Sequence, residues 1–547
     1  MCCDEKTHQY GHHAINETTE RMKNLNSLLL SLLILMIPLL TAAWTQLRSR
    51  SAVVGRTFIL SSNENPQRWR RTYSPSASSD EPSQNSANDL SPEKKKRKKK
   101  KSKREPVEYG PPPDASEFPK WTPRDFFRYE LIHQSSKSQA RVGRIHTPHG
   151  TIETPGFVAV ATNAALKGVD FRTADEAGLE LCFANTYHLM ISPGPDIIEA
   201  AGGIHKFTNR SKRASNLLEF LEKKTDAPPF AFLTFLIYSA IFYYPAFITD
   251  SGGFQVFSLA YGSVHEELSS KGELKKAHGN KHHNAMGKDA VKVTEDGATF
   301  RSYRDGSKFL LTPESTVQAQ KKIGADIIIP LDELPGYYTD RKKLEESVNR
   351  THRWEARSLK EHLKNIQQQA MYCVVHGGVD KELRTKSLEY LSSLPFDGFG
   401  IGGSLGNGRE ELQELLTWLM PMFEEGDRAQ KPRHLLGIAD EESIRNAVPW
   451  GLDTFDSCYP TRVGRHGTFM TRNGNILIKR GRHAREFGVK VDDQCTCPTC
   501  THYDRAYLNH LFKVNEPVAV SYAAIHNIHY MNDLMKDLRR QILNDEI

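Results

Sequence analysis

The feature that most constrains the fold of this chain is a regular alternation of short apolar segments with longer amphipathic ones, which begins near Trp121. Most of the apolar segments are nearly continuous, as expected of parallel strands that are buried on both faces. Helical patterns lie between them, for example over residues 342–364 and 408–423. Eight strands are predicted, at residues 156–162, 179–186, 246–253, 325–332, 370–377, 397–403, 433–440 and 452–458. Eight strand-then-helix units predict an α/β fold, a TIM (β/α)8 barrel.

In such a barrel the chemistry is placed at the carboxyl ends of the strands. The predicted strand ends carry three carboxylates, a histidine and a glycine: Asp250, Asp332, Asp456, His376 and Gly403. Asp456 ends an apolar run and is followed by two basic residues, Arg462 and Arg465. This arrangement predicts a carboxylate in a cleft beside a site for a polyanion.

The segment that starts at Asp250 has the sequence DSGGFQ, with Ser251 and Gly252 next to the carboxylate. Its glycines let the backbone pass close to a ligand. Alone, such a segment is more often a simple turn. Together with Asp332 and the glycine-rich segment at residues 401–406, it places carboxylates and free backbone amides on one rim. These groups can read the edge of a purine by hydrogen bonds.

Three closely spaced cysteines and a distant histidine form the most specific local pattern: Cys495, Cys497, Cys500 and His526. Three thiolates and one imidazole suit tetrahedral Zn²⁺ with no open position, which indicates one structural zinc ion. His502 and His529 are alternatives for the fourth ligand, and free or disulfide-linked cysteines are the simpler interpretation. The other cysteines are scattered, which is typical of a reducing compartment.

The first 120 residues do not have the pattern of a folded domain. An apolar run at residues 28–40 resembles the core of a signal peptide, and residues 47–79 contain Ser and Arg but a single acidic residue. Together they predict an organellar address, with a plastid favoured and a mitochondrion as the alternative. A signal anchor, a wrong start codon or a nuclear address would also explain parts of this segment, and without it the protein would be cytoplasmic. The ten Lys/Arg residues at 94–104 then belong to a disordered basic linker, and without them the formal net charge changes from +7 to −3.

Two insertions interrupt the barrel pattern. Residues 211–245 include a nearly uncharged run long enough to span a bilayer. A spanning helix would force neighbouring barrel strands apart, which favours a translated intron over a membrane anchor and puts the placement of Asp250 in doubt. Residues 265–289 are rich in Lys, His and Gly, and their histidines have no regular spacing, so they predict an exposed loop and not a metal site.

An ordered series of motifs carries a resemblance to a known family. The motifs are NTYHL, DSGGFQ, RDGSK, LTPE, IGG, FDSCYPTRVGRHG and CxCxxC with a distant histidine. In this order, from Phe127 to the end, they resemble tRNA-guanine transglycosylase, which exchanges a base in tRNA during queuosine formation. The resemblance implies a catalytic domain at residues 121–547 with a zinc subdomain at 495–526. It also implies a homodimer, or a heterodimer with a non-catalytic homologous subunit.

The resemblance further implies roles for individual residues. Asp456 would be the nucleophile and Asp250 the general acid and base in a double displacement at ribose. Asp332, His376 and Gly403, with Ser251 and Gly252, would bind the base, while Arg462 and Arg465 would contact the tRNA backbone. The substrates would be tRNA and queuine or another 7-deazaguanine base.

Two positions bear on which base is used. His376 stands where the family usually has glutamine, and the two side chains differ in donors and acceptors. Gly406 is predicted to leave room for the cyclopentenediol of queuine, in preference to the smaller aminomethyl precursor. A non-catalytic subunit that binds tRNA or base is the alternative function, and the presence of both Asp456 and Asp250 argues against it.

Overall fold

Eight parallel strands form a closed barrel in the computed structural model of the chain, which describes residues 109–210, 245–262, 264–269, 271, 291–302 and 304–547. They are β1 (Gly156–Val160), β2 (Leu181–Ala184), β3 (Ala246–Thr249), β4 (Ile327–Ile328), β5 (Ala370–Val375), β6 (Gly398–Ile401), β7 (Arg433–Leu435) and β8 (Thr454–Ser457). The barrel closes where β8 pairs in parallel with β1, with Asp456 opposite Val158. The predicted TIM barrel is therefore confirmed, and each strand is shorter than its apolar run.

Both faces of the barrel strands are buried, which explains why the sequence shows continuous apolar runs. Since successive side chains of a strand point to opposite faces, alternate residues belong to two clusters. Val158, Phe183, Ile248 and Tyr372 pack together in one cluster. Their chain neighbours, such as Phe157, Cys182, Phe247 and Met371, belong to the second cluster, which includes side chains of the surrounding helices.

Helices connect successive strands and surround the barrel. The α-helices are Phe171–Glu176, Thr186–Ile191, Pro195–Ala200, Ile204–Phe207, Gly253–Tyr261, Val264–Ser269, Pro313–Ile323, Arg341–Leu363, Lys381–Ser392, Arg409–Leu419, Glu441–Ala447, Tyr459–Arg465, Pro498–His502, Arg505–Lys513 and Pro517–Leu543. Short 3-10 helices are Ala115–Glu117, Met420–Glu424, Gly426–Gln430, Val448–Trp450 and Gly481–Arg485. The helices predicted at residues 342–364 and 408–423 are confirmed.

Small antiparallel sheets are added to the barrel. One sheet contains Arg128–Gln134, Arg141–Thr147 and Gly150–Thr154 and comes directly before β1. Its residues Ile145 and Ile152 pack in the same cluster as Val158 and Ile248, so this sheet closes the amino-terminal end of the barrel. A second sheet, formed by Val291–Thr294, Gly297–Arg301 and Lys308–Leu311, lies between β3 and β4 in the chain, and a two-stranded sheet pairs Thr468–Phe469 with Ile476–Leu477.

Several predictions concern residues outside the described ones. These are the targeting segment, the basic linker at 94–104, most of the insertion at 211–245 and most of the loop at 265–289. No helix in the described ranges is long and apolar enough to cross a membrane. β2 and β3 flank residues 211–244 and pair in parallel, from Leu181 with Ala246 to Ala184 with Thr249. The insertion therefore does not separate these strands, and Asp250 follows an intact β3.

Candidate active site

Asp456 lies in β8 at the carboxyl end of the barrel, and one of its two oxygens is held firmly. Its Oδ1 accepts a hydrogen bond from His434 Nε2 at 3.0 Å and another from the Gly437 backbone N–H at 2.8 Å. No hydrogen bond from the described residues reaches Oδ2. The side chain is 10% exposed, so the carboxylate is fixed in orientation while one oxygen keeps its lone pairs for a ligand.

Asp250 directly follows β3 and also has fixed partners. Its Oδ2 accepts from the Asn185 side-chain amide at 2.7 Å, and its Oδ1 accepts from the Thr186 backbone N–H at 2.8 Å. Burial raises the pKa of Asp250 to about 6, although the hydrogen bonds from Asn185 and Thr186 act in the opposite direction. The negative charge of Asp332 adds to the increase. A carboxyl group with this pKa can both give and take a proton near neutral pH.

The residues predicted to bind a base form one connected group. A Cβ on Gly253 would lie 2.5 Å from Asp332 Oδ1, so the DSGGFQ turn presses against that carboxylate. Ser251 Oγ is 3.5 Å from the same oxygen and accepts a hydrogen bond from the Gly253 N–H. Gly252 has φ +88°, a left-handed conformation that favours glycine. These contacts place the turn after β3 against Asp332, in the segment after β4.

His376 and Gly403 complete this group from β5 and β6. His376 Nε2 lies 3.0 Å from Asp332 Oδ2. No hydrogen bond of suitable geometry joins the two atoms, so within the described part of the chain this buried nitrogen has no hydrogen-bond partner. A Cβ on Gly403 would lie 2.9 Å from His376 Nδ1, and Gly403 has φ +73°. Asp332, His376 and Gly403 therefore lie together, as the sequence predicted, with one imidazole nitrogen left for a ligand.

A buried arginine supports the two loops that carry these groups. Arg384 is fully buried, and its guanidinium donates to four backbone carbonyls: Gly378 at 2.8 Å, Val375 at 2.9 Å, Gly402 at 3.1 Å and Ser404 at 3.0 Å. No carboxylate among the described residues forms an ion pair with it, and loss of water lowers its pKa to about 9. Arg384 thus ties the loop after β5 to the loop after β6.

Gly406 lies against the helix that follows it. A Cβ at this position would lie 2.6 Å from Glu411 Cβ and 3.0 Å from Glu411 Oε2. The Glu411 carboxylate accepts from the Asn407 backbone N–H and from the Tyr337 hydroxyl, both at 2.8 Å. Glu411 therefore accounts for a glycine at this position, and the room for the cyclopentenediol of queuine stays a prediction.

The two basic residues after Asp456 lie on the helix Tyr459–Arg465. Arg462 is exposed and Arg465 is half-buried. Neither forms an ion pair with a described residue. Arg465 Nη1 is buried and has no hydrogen-bond partner among the residues that the structure describes. Two cations without counter-charges beside Asp456 fit the predicted contact with a polyanion.

The predicted metal ligands form a closed, buried cluster. His526 Nδ1 lies 3.6 Å from Cys495 Sγ, 3.5 Å from Cys497 Sγ and 3.2 Å from Cys500 Sγ. His526 Nε2 lies 2.7 Å from the Met470 carbonyl, which can only accept, so Nε2 carries the ring proton and Nδ1 is free to bind a metal ion. The four ligand atoms lie within 4.8 Å of one another and could hold one ion. Of the alternatives, His529 contacts Asp533, and His502 contacts the Pro498 carbonyl.

A second cluster, His149, His205 and Asp326, has a different character. Asp326 precedes β4, at the opposite end of the barrel. His149 Nδ1 lies 2.7 Å from Asp326 Oδ1, and the Phe247 backbone N–H donates to Oδ2 at 2.8 Å. Ligands around a zinc ion with bonds of about 2.0–2.1 Å lie roughly 3.3 Å apart, so 2.7 Å indicates a hydrogen bond instead. This cluster joins the antiparallel sheet that precedes β1 to the barrel.

Three residues of the site were missed by reasoning from sequence: His434, Asn185 and Arg384. Asn185 belongs to the NTYHL motif, which carried the resemblance but received no role of its own. His434 lies in β7 between Arg433 and Leu435, and Arg384 lies in an amphipathic helix that also carries exposed charges. Polar residues at the start of a predicted buried strand were the available signal for His434. No local pattern distinguishes Arg384 from exposed basic residues of the same helix.

Comparison with known proteins agrees with this geometry. Residues 135–547 match the family model described as Queuine tRNA-ribosyltransferase. A protein of that name from Protochlamydia amoebophila (strain UWE25) is 49% identical over 422 residues, which cover 77% of this chain and 97% of that protein. Proteins of the same name from Chlamydia caviae and Chlamydia pneumoniae are 46% and 45% identical over 421 residues, covering 77% of this chain and 99% of each relative.

Proposed function

The chain belongs to the queuine tRNA-ribosyltransferase family of tRNA-guanine transglycosylases, and on that premise we propose that it exchanges guanine at the tRNA wobble position for queuine or a related 7-deazaguanine by double displacement. The observation that carries this proposal is the pair of strand-end carboxylates. Asp456 has one anchored and one free oxygen, and the pKa of Asp250 is raised to about 6. The pair suits a nucleophile and a proton carrier.

In the first displacement, Asp456 Oδ2 attacks ribose C1′ of the flipped nucleotide, and the bond from C1′ to guanine N9 breaks. Asp250 donates its proton to the departing guanine, which leaves as a neutral base. The transition state has positive character at C1′, which the Asp456 carboxylate stabilises. The product is an ester between Asp456 and C1′. Asp250 is then ionised and ready to act as a base.

In the second displacement, the incoming 7-deazaguanine bonds to C1′ through its N9 as Asp250 accepts the N9 proton. The bond from C1′ to Asp456 breaks, and both carboxyl groups return to their starting states. Two inversions preserve the configuration at C1′. The Asp332 carboxylate accepts from donors on the base, while His376 Nε2 and the backbone amides near Gly403 supply donors for its carbonyl oxygen.

Arg462 and Arg465 bind tRNA phosphates beside the nucleophile. Their support is position and charge, since both follow β8 directly and neither has a counter-ion among the described residues. The folded part of the chain has a small net negative charge without the linker, so a local pair of cations matters more than overall charge. Weaker binding of tRNA at higher salt concentration is the expected signature.

The Cys495, Cys497, Cys500 and His526 cluster holds one zinc ion. In a tetrahedral zinc site, bonds of about 2.3 Å to sulfur and 2.0–2.1 Å to nitrogen put the two atoms about 3.5 Å apart, close to the three distances found here. All four ligands are protein side chains, so the ion would provide structure and no open position. The zinc ligand His526 would hold the segment at Met470, and its neighbour Asn527 donates to the Pro460 and Thr468 carbonyls.

Assembly into a dimer is a further part of the proposal. Large apolar side chains are exposed on the zinc subdomain and on the segment before it, including Leu477, Phe487, Tyr507 and Val514. A second copy of the chain or a homologous non-catalytic subunit would cover them. Light scattering on the purified chain separates the cases, since a monomer that becomes active after addition of another subunit indicates the heterodimer.

Delivery to an organelle, with a plastid favoured, is proposed for the segment at residues 1–120, from its composition alone. A fusion of residues 1–120 to a fluorescent protein would reveal the compartment in cells. A diffuse cytoplasmic signal would contradict this proposal.

The central experiment measures exchange of labelled guanine into tRNA by the purified chain, its Asp456→Asn variant and a Cys458→Ser control. Asparagine cannot form the ester, so exchange should fall at least about 1,000-fold. Cys458 is exposed and lies two residues away, so its replacement should preserve activity. Wild-type enzyme, but not Asp456→Asn, should also form a covalent complex with tRNA that survives denaturing electrophoresis. An inactive wild type, or an Asp456→Asn variant with normal exchange, would refute the mechanism.

A further inference from the structure

A fully buried imidazole connects the last two barrel strands beneath the nucleophile. His434 lies in β7, and the parallel register places it opposite Thr454 of β8. Its Nδ1 lies 2.8 Å from Thr454 Oγ1, and its Nε2 lies 3.0 Å from Asp456 Oδ1. The side chain of His434 has no exposed surface. Both ring nitrogens are therefore satisfied inside the protein, which limits rotation of the ring.

These contacts fix which nitrogen carries the proton. The Asp456 carboxylate only accepts hydrogen bonds, so His434 Nε2 must be the donor. In the neutral ring Nδ1 is then an acceptor, and the Thr454 hydroxyl is the donor to it. Thr454 thus holds the tautomer that presents an N–H to Asp456.

The two oxygens of Asp456 consequently have different environments. Oδ1 accepts from His434 and from the Gly437 backbone N–H, while no described residue donates to Oδ2. Gly437 has φ +76°, a conformation that L side chains rarely adopt, and it turns its N–H toward the carboxylate. The donor pair occupies one oxygen and leaves the other to react.

We propose that His434 is a positioning residue that anchors Asp456 Oδ1 through its Nε2–H, so that Oδ2 is the oxygen that attacks ribose C1′. This inference rests on the proposed function of Asp456 as nucleophile. In the ester, Oδ1 becomes the carbonyl oxygen and keeps its two donors. When the ester bond to Oδ2 breaks in the second displacement, the same donors stabilise the returning carboxylate charge. His434 therefore acts on both displacements and does not contact tRNA.

Glutamine and asparagine at position 434 make a matched pair for the test. The amide nitrogen of glutamine can occupy the place of Nε2 and donate to Asp456, whereas that of asparagine reaches only as far as Nδ1. Misplacement of a reacting group by about 1 Å costs on the order of 100-fold in rate. His434→Asn should lower kcat by roughly that factor with KM for tRNA nearly unchanged, and His434→Gln should regain at least about tenfold of the loss.

Melting temperatures of the two variants show whether each folds, and Thr454→Val provides an independent change behind the ring. It should lower kcat less than His434→Asn does, because the Nε2 contact remains. The proposal is refuted if folded His434→Asn retains wild-type kcat, or if His434→Gln is no better than His434→Asn. An active Asp456→Asn variant would instead refute the proposed function, so the two failures are distinguishable.

Discussion

Burial and hydrogen bonding have opposite effects on the pKa of Asp250, and substitution of Asn185 can change that pKa. Burial raises the pKa of Asp250, while the Asn185 amide, 2.7 Å from Oδ2, stabilises the ionised form. Replacement of Asn185 by alanine removes this donor and leaves the Thr186 backbone N–H and the Gln255 side chain, which also lower the pKa of Asp250, in place. Because the charged form loses a partner, the pKa of Asp250 must increase.

The size of the increase follows from the strength of one such bond. A hydrogen bond to a charged group contributes about 1.5–3 kcal/mol. One pKa unit corresponds to about 1.4 kcal/mol, so the loss of this bond is worth roughly 1–2 units. From a starting value of about 6, Asn185→Ala should move the pKa of Asp250 to roughly 7–8.

The assay is the pH dependence of guanine exchange between about pH 5 and 9. The first displacement needs protonated Asp250, so wild-type kcat should fall as pH rises above about 6. In Asn185→Ala this alkaline limb should move up by about 1–2 pH units. The Asn185 side chain does not cap the helix Thr186–Ile191, so that helix should still form.

Asn446→Ala, at an exposed position, is the matched control and should leave the limb unchanged. Melting temperatures exclude general unfolding of Asn185→Ala. A limb that stays in place, or moves to lower pH, in a folded Asn185→Ala variant would refute the assignment of the proton carrier to Asp250.

Three further predictions concern stability, base binding and metal. The pKa of Asp250 is higher in the folded state than its ordinary value of 3.8. The contribution of Asp250 to folding stability is therefore complete below about pH 4 and is lost as pH rises through about 6. Asp250→Asn should raise the melting temperature at pH 8 but not at pH 4. An equal effect of Asp250→Asn on the melting temperature at pH 4 and at pH 8 would contradict this prediction. Arg384→Lys supplies one ammonium group where four backbone carbonyls need donors. KM for the base should therefore rise at least about tenfold, while KM for tRNA changes little. Equal increases in both KM values would indicate general damage to the fold. Cys497→Ser should lower the zinc content from about one per chain to near zero and reduce the melting temperature, and a folded wild-type chain without metal would refute the site.

The fold could be predicted from the sequence because both faces of each barrel strand are buried. That burial produces continuous apolar runs, and eight such runs separated by helical patterns allow few architectures. The ends of the strands could not be located, since DSGGFQ and the glycine-rich segment after β6 continue the runs with residues that already belong to the loops. Asp250 and Asp332, predicted inside strand ranges, lie just beyond them.

The candidate site was predictable where a residue follows a strand in sequence, and less so where contacts come from other elements. Asp456 could be singled out from its own neighbours, but its two donors come from β7 and the loop after it. Gly406 shows a second limit. The absence of a side chain suggested space for a ligand, but the sequence did not indicate that Glu411 of the following helix lies where a side chain would begin. Only three-dimensional packing decides between a cavity and a close contact.

The insertion at residues 211–244 provides the last prediction, because the barrel is complete on both sides of it. β2 and β3 pair in register across it, and the Arg210 guanidinium lies 4.7 Å from the ring centroid of Phe247. The two ends of the insertion are thus tied together by described residues. About eight Gly and Ser residues, which span up to roughly 26 Å, can replace it without strain.

The replacement should preserve exchange activity and slightly increase stability. For a flexible connection, an increase in length from about eight to about 34 residues costs roughly two doublings of loop length, or about 1.2 kcal/mol. Guanine exchange and thermal unfolding of the shortened chain test this, and membrane sedimentation of both forms tests the anchor interpretation. If the insertion is a translated intron, both forms remain in the supernatant with equal kcat. Loss of activity in a folded shortened chain would show that residues 211–244 contribute to the placement of Asp250, although β3 pairs correctly on both sides.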